Sequence, residues 1–147
     1  MTNFAFTGTR QGLTPEQHKG LYDLVLSVLY DIDEIRHGGA VGADTQFHSI
    51  VGHIGALDKV IVYPSNVNGA RGALARLEGQ AWRVEPAMDP LVRNKLMVAV
   101  SDHIFAAPYT FHEITRSGTW STIRYARRVR RPVTIVCPDG RQEKIEP

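Results

Sequence analysis

At 147 residues, with 43% hydrophobic and 22% charged side chains, the chain has the make-up of one globular domain spanning 1–147. Such a chain buries a core without metal or disulfide staples. The single cysteine, Cys137, excludes an intrachain disulfide and a cysteine-based zinc cluster, and no apolar run approaches the roughly 20 residues that cross a bilayer. The net charge of +2 is too small to argue for nucleic acid, and Met1-Thr2-Asn3-Phe4 lacks the basic-then-apolar layout of a secretion signal, so a cytoplasmic protein with no membrane partner is expected.

Asn3 to Thr7 reads as a buried strand that stops at the turn Gly8-Thr9-Arg10. Thr14-Pro15-Glu16-Gln17 starts a helix: Thr14 caps, Pro15 suits the first position, and Gln17 completes a capping box. Leu21, Leu24, Val25, Val28 and Leu29 follow at helical spacing. Glu34 to His37 predicts a second strand, Gly38 to Asp44 a glycine-rich loop, and Asp44 to Ile54 a helix. Lys59 to Tyr63 is a β-branched strand ended by Pro64. Ser65 to Gln80, with Arg71 and Arg76, reads as irregular, and Ala81 to Val84 as a short strand. Asp89-Pro90 opens a helix with Leu91, Leu96, Met97 and Val100 on its apolar side. His103 to Ala107 is a strand, Ser117-Gly118-Thr119 a turn into a helix ending near Val129, Pro132 to Val136 a strand, and Asp139-Gly140 a hairpin turn. This alternation predicts an α/β fold: a Rossmann-like three-layer sandwich with a mainly parallel sheet covered on both faces.

In open α/β sheets ligands bind beyond the carboxyl ends of the strands. Three glycine-rich loops fall at that edge: Gly8-Thr9-Arg10, Gly38 to Asp44, and Ser117-Gly118-Thr119. Glycine lets backbone N–H groups approach a phosphate, and a helix N-terminus adds its dipole. The loops therefore predict an anion pocket, although neither the full dinucleotide fingerprint nor a Gly-Lys-Ser/Thr phosphate loop is present.

Four segments carry a family resemblance. Arg116-Ser117-Gly118-Thr119-Trp120-Ser121-Thr122-Ile123-Arg124-Tyr125-Ala126 resembles the Ser-Gly-Ser/Thr-x-x-Thr-x-Arg-x-Ala motif of the DNA processing protein A (DprA/Smf) domain. Pro90-Leu91-Val92-Arg93-Asn94-Lys95-Leu96-Met97 is similar to its Pro-x-x-Arg-Asn-Arg segment. Gly38 to Asp44, with His48, resembles its Gly-x-Ala-x-Gly-x-Asp-x-x-x-His pattern. Phe6-Thr7-Gly8-Thr9-Arg10 resembles its opening strand and turn. The motifs stand in family order and span nearly the whole chain. They point to the wider SLOG superfamily, which joins DprA to the LOG nucleotide-processing enzymes and to small nucleotide-binding proteins. The resemblance implies a compact Rossmann-like fold with a nucleotide or phosphate pocket at the three loops. Where LOG enzymes carry the catalytic Glu of Pro-Gly-Gly-x-Gly-Thr-x-x-Glu, this chain has Thr122.

The expected ligand-binding residues are Gly8, Thr9, Arg10, Gly38, Gly39, Gly42, Asp44, Arg93, Asn94, Ser117, Gly118 and Thr119. Arg93 and Arg10 suit an anion. Asp44 either caps the following helix or accepts a ribose hydroxyl. Ser117 and Thr119 either bind phosphate or cap their helix. His48 reads as structural. Tyr109, Phe111 and Trp120 are candidates for stacking on a base, with core packing or a dimer contact equally open for Trp120. The leading expectation is a nucleotide-binding sensor or sequestering protein, a homodimer as its relatives commonly are, with no cofactor. The second is a nucleotide N-glycosidase with Glu113 or Asp44 as its carboxylate. The third is a DprA-like single-stranded DNA-binding protein using Arg124, Arg127, Arg128 and Arg131, a cluster that Arg130 extends. No metal site is expected; Asp44 and His48 are two ligands, too few for one.

Overall fold

The computed structural model describes residues 1–67, 77 and 80–147. The stretch holding Arg71 and Arg76 lies outside them. Strand β1 (Thr2–Gly8) leads to helix α1 (Pro15–Ser27), β2 (Ile32–His37), α2 (Ala43–Ile54), β3 (Val60–Val62) and β4 (Arg83–Val84). Then come α3 (Pro90–Ala99), β5 (His103–Ala107), α4 (Gly118–Arg128), β6 (Val133–Val136) and β7 (Gln142–Ile145). The strands form one sheet in the order β4-β3-β2-β1-β5-β6-β7. All neighbours are parallel except β6 and β7, which the Asp139-Gly140 turn joins as an antiparallel hairpin. Gly140 adopts φ +86° there, where an L side chain is strained.

Local chemistry accounts for most boundaries. Thr14 Oγ1 accepts the Gln17 amide at 3.0 Å while Gln17 Oε1 accepts the Thr14 amide at 3.1 Å, a complete capping box. The Gln17 carboxamide also donates to the carbonyls of Pro108 and Val136, tying α1 to the ends of β5 and β6. Helix α1 stops at Ser27: Val28 is its C-cap and Leu29 opens a 3₁₀ turn, so the apolar pattern outruns the helix. Asp89 caps α3 through the amides of Leu91 and Val92.

The two sheet faces bury separate apolar clusters. One packs α1 and α2 against Phe6, Ile35, Val62 and Phe105; the other packs α3 and α4 against Ala5, Ile104 and Ile135. Phe6 and Phe47 stack at 4.1 Å between ring centres. Burying each of those rings contributes about 1.5–3 kcal/mol. Helix α3 departs from expectation. Leu91, Leu96 and Val100 are 61%, 38% and 40% exposed, and the buried residues are Arg93, Met97 and Val98. Apolar spacing placed Met97 correctly but not Leu91, Leu96 and Val100, because a buried arginine shares the inward face.

The chain walks outward from β1 through β2, β3 and β4, then returns to place β5 on the other side of β1. That reversal opens a crevice at the carboxyl ends of β1 and β5. Gly8 stands opposite Ala107 in the register, and the Thr9 amide continues the ladder to the Ala107 carbonyl at 3.1 Å.

Candidate functional site

A cleft of about 350 Å³ opens at this crevice, within the range of small-molecule sites. Its lining comes from the β1–α1 turn (Gly8, Thr9, Arg10, Gln11), Ala40 and Asp44, helix α3 (Leu91, Arg93, Asn94, Met97), and the β5–α4 loop with the start of α4 (Tyr109, Ile114, Arg116, Ser117, Gly118, Thr119). Nine of the twelve expected ligand-binding residues are therefore together. Gly38, Gly39 and Gly42 are not on the lining; they build the wall behind it.

That wall is closed by the protein's own groups. Asp44 Oδ2 accepts the amides of Gly38 at 3.1 Å and Ala40 at 3.3 Å, and His37 Nδ1 accepts the amide of Gly39 at 2.9 Å. The amides expected to face an anion from this loop are thus consumed internally. Space explains the glycines. A Cβ at Gly38 would lie 2.4 Å from Arg93 Nη1, and one at Gly42, whose φ is +89°, would lie 2.4 Å from the Arg10 carbonyl oxygen. The β1–α1 and β2–α2 turns touch backbone to backbone, locked by the Ala43 amide on the Thr9 carbonyl at 2.9 Å.

Behind the wall lies a histidine pair that the sequence reading did not single out. His37 Nε2 and His48 Nδ1 are 2.9 Å apart, and both rings are fully buried. Because His37 Nδ1 accepts from Gly39, its proton sits on Nε2 and is donated to His48. Burial, then the neighbouring His48 and Arg93, push the His37 pKa down to about 3. His37 is therefore neutral at physiological pH, and it braces the wall through the Gly39 amide and the His48 ring.

Asp44 is not a helix cap. Gly42 occupies the cap position of α2, and the Asp44 carboxylate folds back onto the preceding loop. Its Oδ1 is buried without a hydrogen-bond partner, on a residue that lines the cleft. Burial raises its pKa to about 6, against the opposing pull of Arg93, the Ala40 and Gly38 amides, and Arg10. A buried carboxylate oxygen with no donor is costly unless a ligand supplies one.

Arg93 is 5% exposed and spends most of its donors on the protein. Nη1 donates to the carbonyls of Gly38 at 3.1 Å and Tyr63 at 2.9 Å, and Nε to Asn94 Oδ1 at 2.7 Å. Burial works against its charge and Asp44 supports it. Only Nη2 remains for an anion. Arg10, by contrast, is exposed on the lining. At the start of α4, Ser117 Oγ takes the Trp120 amide at 3.2 Å. The amides of Gly118 and Thr119 stand in the first turn, without an intrahelical partner, on the cleft wall. A Cβ at Gly118 would meet nothing within 4 Å.

Glu113 lies outside the lining. Its carboxylate pairs with Arg124 at 2.9 Å and Arg127 at 3.1 Å, and these bonds, that to Arg124 first, hold its pKa below the usual range. Among the described residues, Asp44 is the carboxylate the cleft contains. Arg124 also donates to the carbonyls of Ile114 and Thr115, and Arg131 to those of Ser101, Val129 and Ala99. Three members of the expected nucleic-acid cluster therefore brace loops and ion pairs, while Arg128 is exposed. Trp120 is 6% exposed in the core, with Nε1–H donated to Thr110 Oγ1 at 3.0 Å, rather than open to a base. Phe111 is 48% exposed off the lining; Tyr109 is on it. Among the described residues no group of three His, Cys, Asp or Glu could hold a metal, and no helix is long and apolar enough to cross a membrane.

No protein-family model matches the chain, and no curated protein matches it. Solved structures do. DNA processing protein A from Helicobacter pylori, described for its single-stranded DNA binding mode, aligns over 91% of this chain with a TM-score of 0.66 and 23% identity. This chain spans 64% of that protein's length. A molybdenum cofactor binding protein from Rippkaea orientalis aligns over 92% of this chain and 76% of its own, with a TM-score of 0.66 and 19% identity. The structural-genomics target TM1055 aligns over 90% and 72%, with a TM-score of 0.61 and 15% identity. The chain thus has the Rossmann-like fold that its resemblance to the DNA processing protein A core implied.

Proposed function

We propose that the cleft binds a phosphorylated nucleoside or nucleotide-derived ligand, and that the protein acts as its sensor or sequestering protein. One observation carries this reading. The free amides of Gly118 and Thr119 and the Arg10 and Arg116 guanidiniums share a cleft with the unpartnered buried Oδ1 of Asp44. The first set needs an anion, and the second needs a hydroxyl or N–H donor. A phosphorylated sugar supplies both. The likeness in fold to a molybdenum cofactor binding protein is in keeping with a small-molecule ligand. Calorimetry of the full chain with nucleoside monophosphates, ribose 5-phosphate and inorganic phosphate tests it. Binding of the first two, with phosphate alone much weaker, is the expected result; no binding of any would end it.

An N-glycosidase reading is favoured by Asp44, a carboxyl group whose pKa near 6 lets it exchange a proton near neutrality. In this reading Asp44 replaces Glu113 as the acting carboxylate, and release of free base from a nucleoside monophosphate, lost in Asp44→Asn, is the readout. Single-stranded DNA binding is favoured by the likeness to DNA processing protein A. The engagement of Arg124, Arg127 and Arg131 with the protein's own oxygens weighs against that cluster as the groove. The homodimer remains part of the proposal, read by sedimentation.

A further inference from the structure

The rim of the cleft differs chemically from its floor. Leu91 on α3 and Tyr109 and Ile114 on the β5–α4 loop line the mouth with 61%, 63% and 43% of their surfaces exposed. Single exposed apolar side chains need no explanation, but three from two separate elements around one opening form a collar.

The collar is held in place. Trp120 anchors Thr110, the neighbour of Tyr109, and Thr110 Oγ1 in turn donates to the His112 carbonyl at 2.7 Å. Arg124 holds the carbonyls of Ile114 and Thr115. Both ends of the collar-bearing loop are thus fastened to α4. The Tyr109 ring meets no other ring among the described residues.

The exposed polar side chains on the lining are Arg10, Gln11, Tyr109 and Arg116; the Gln11 side-chain carbonyl oxygen already accepts from the Thr9 hydroxyl, so apart from the Tyr109 hydroxyl they offer donors only. Reading a base requires fixed, paired donors and acceptors against its edge. An aromatic platform with aliphatic walls instead grips any π-face. Asp44, Arg93 and Thr119 on the same lining are buried instead, at 7%, 5% and 4% exposure.

Resting on the reading of the cleft as a site for a phosphorylated nucleoside, we infer that the rim holds the ligand's heterocycle on Tyr109 between Leu91 and Ile114, so that the protein selects the sugar phosphate and tolerates the base. The heterocycle faces outward and the phosphate inward.

Calorimetry with adenosine, guanosine, cytidine and uridine 5′-monophosphates and ribose 5-phosphate tests this on the full chain, Tyr109→Ala and Tyr109→Phe. The four nucleotides are expected within about thirtyfold of one another, with ribose 5-phosphate about tenfold or more weaker than each. Tyr109→Ala brings the nucleotides down to the level of ribose 5-phosphate and leaves ribose 5-phosphate unchanged; Tyr109→Phe retains wild-type affinities. Tyr109 is exposed, so both variants fold, which circular dichroism checks. A base preference beyond about thirtyfold, nucleotide affinity indifferent to Tyr109→Ala, or equal weakening of ribose 5-phosphate overturns the inference while leaving the sugar-phosphate reading intact. Failure of ribose 5-phosphate and all four nucleotides to bind overturns both.

Discussion

Asp44 and Gly38 face each other across the bend of the β2–α2 loop, the Gly38 amide donating to Oδ2 at 3.1 Å while Oδ1 of the same carboxylate stays buried and unpaired. One oxygen builds the cleft wall and the other is left over. This division of labour makes Asp44 both a structural brace and the strongest acceptor the cleft presents.

The raised pKa of Asp44 ties it to stability. A carboxyl group whose folded pKa of about 6 exceeds its ordinary value of 3.8 favours folding when protonated. That contribution is complete below pH 3.8 and is lost as pH rises through 6. By pH 7.5 the ionised form costs on the order of 3 kcal/mol relative to the acid. Asp44→Asn is therefore expected to be at least as stable as wild type at pH 7.5 in urea titrations, with the gain shrinking toward pH 4. Its nucleotide affinity is expected to fall about tenfold or more, since a charged acceptor is lost. A variant destabilised at pH 7.5 would show that the brace outweighs the buried charge.

Arg93 is expected to matter more for folding than for ligand. Its Nη1 satisfies two backbone carbonyls from different strand ends, Gly38 and Tyr63. Arg93→Ala orphans both and leaves Asp44 without its buried counter-charge. A loss of about 2–5 kcal/mol is expected from the denaturation midpoint. An unchanged midpoint would refute the clasp.

Two glycines separate packing from binding. Gly42→Ala places a Cβ 2.4 Å from the Arg10 carbonyl at φ +89°, and a destabilisation above about 2 kcal/mol is expected. Gly118→Ala meets open space, so thermal stability holds or rises slightly from helix propensity. Its methyl group would crowd a ligand atom approaching the first-turn amides, and nucleotide affinity is expected to drop. Equal stability loss in both variants is the outcome that contradicts this contrast.

Glu113→Gln releases Arg124 and Arg127 from their ion pair at the surface. Solvent-exposed pairs of this kind contribute little to stability. Small-nucleotide affinity is expected to stay within about threefold, because Glu113 is off the cleft and Arg124 keeps its two carbonyl partners. If single-stranded DNA is a ligand, the same substitution strengthens its binding in a shift assay at fixed salt, because it adds one net positive charge.

How far the residues alone lead depends on range. The capping box at Thr14 and Gln17 and the Asp89-Pro90 start were legible because a cap is written within four residues. Alternating β and α segments with glycine turns were enough for the parallel sheet and the edge at which the cleft opens, and the motif order was enough for the Rossmann-like fold. The face of α3 was legible only at Met97, because periodicity sorts residues by polarity and Arg93 is buried by partners about 30 and 55 positions earlier.

Sequence by itself determined the layers, the loops that meet and the residue types available for an anion, since those follow from backbone propensity and local spacing. Tertiary structure decided which donors are already spent. Asp44 and His37 consume the amides of the Gly38–Ala40 bend, Arg93 is drawn inward by two carbonyls, and Glu113 is taken by two arginines. Each of these outcomes joins groups from separate stretches of chain. Only a folded chain fixes such pairings, because a hydrogen bond needs its partners within about 3 Å.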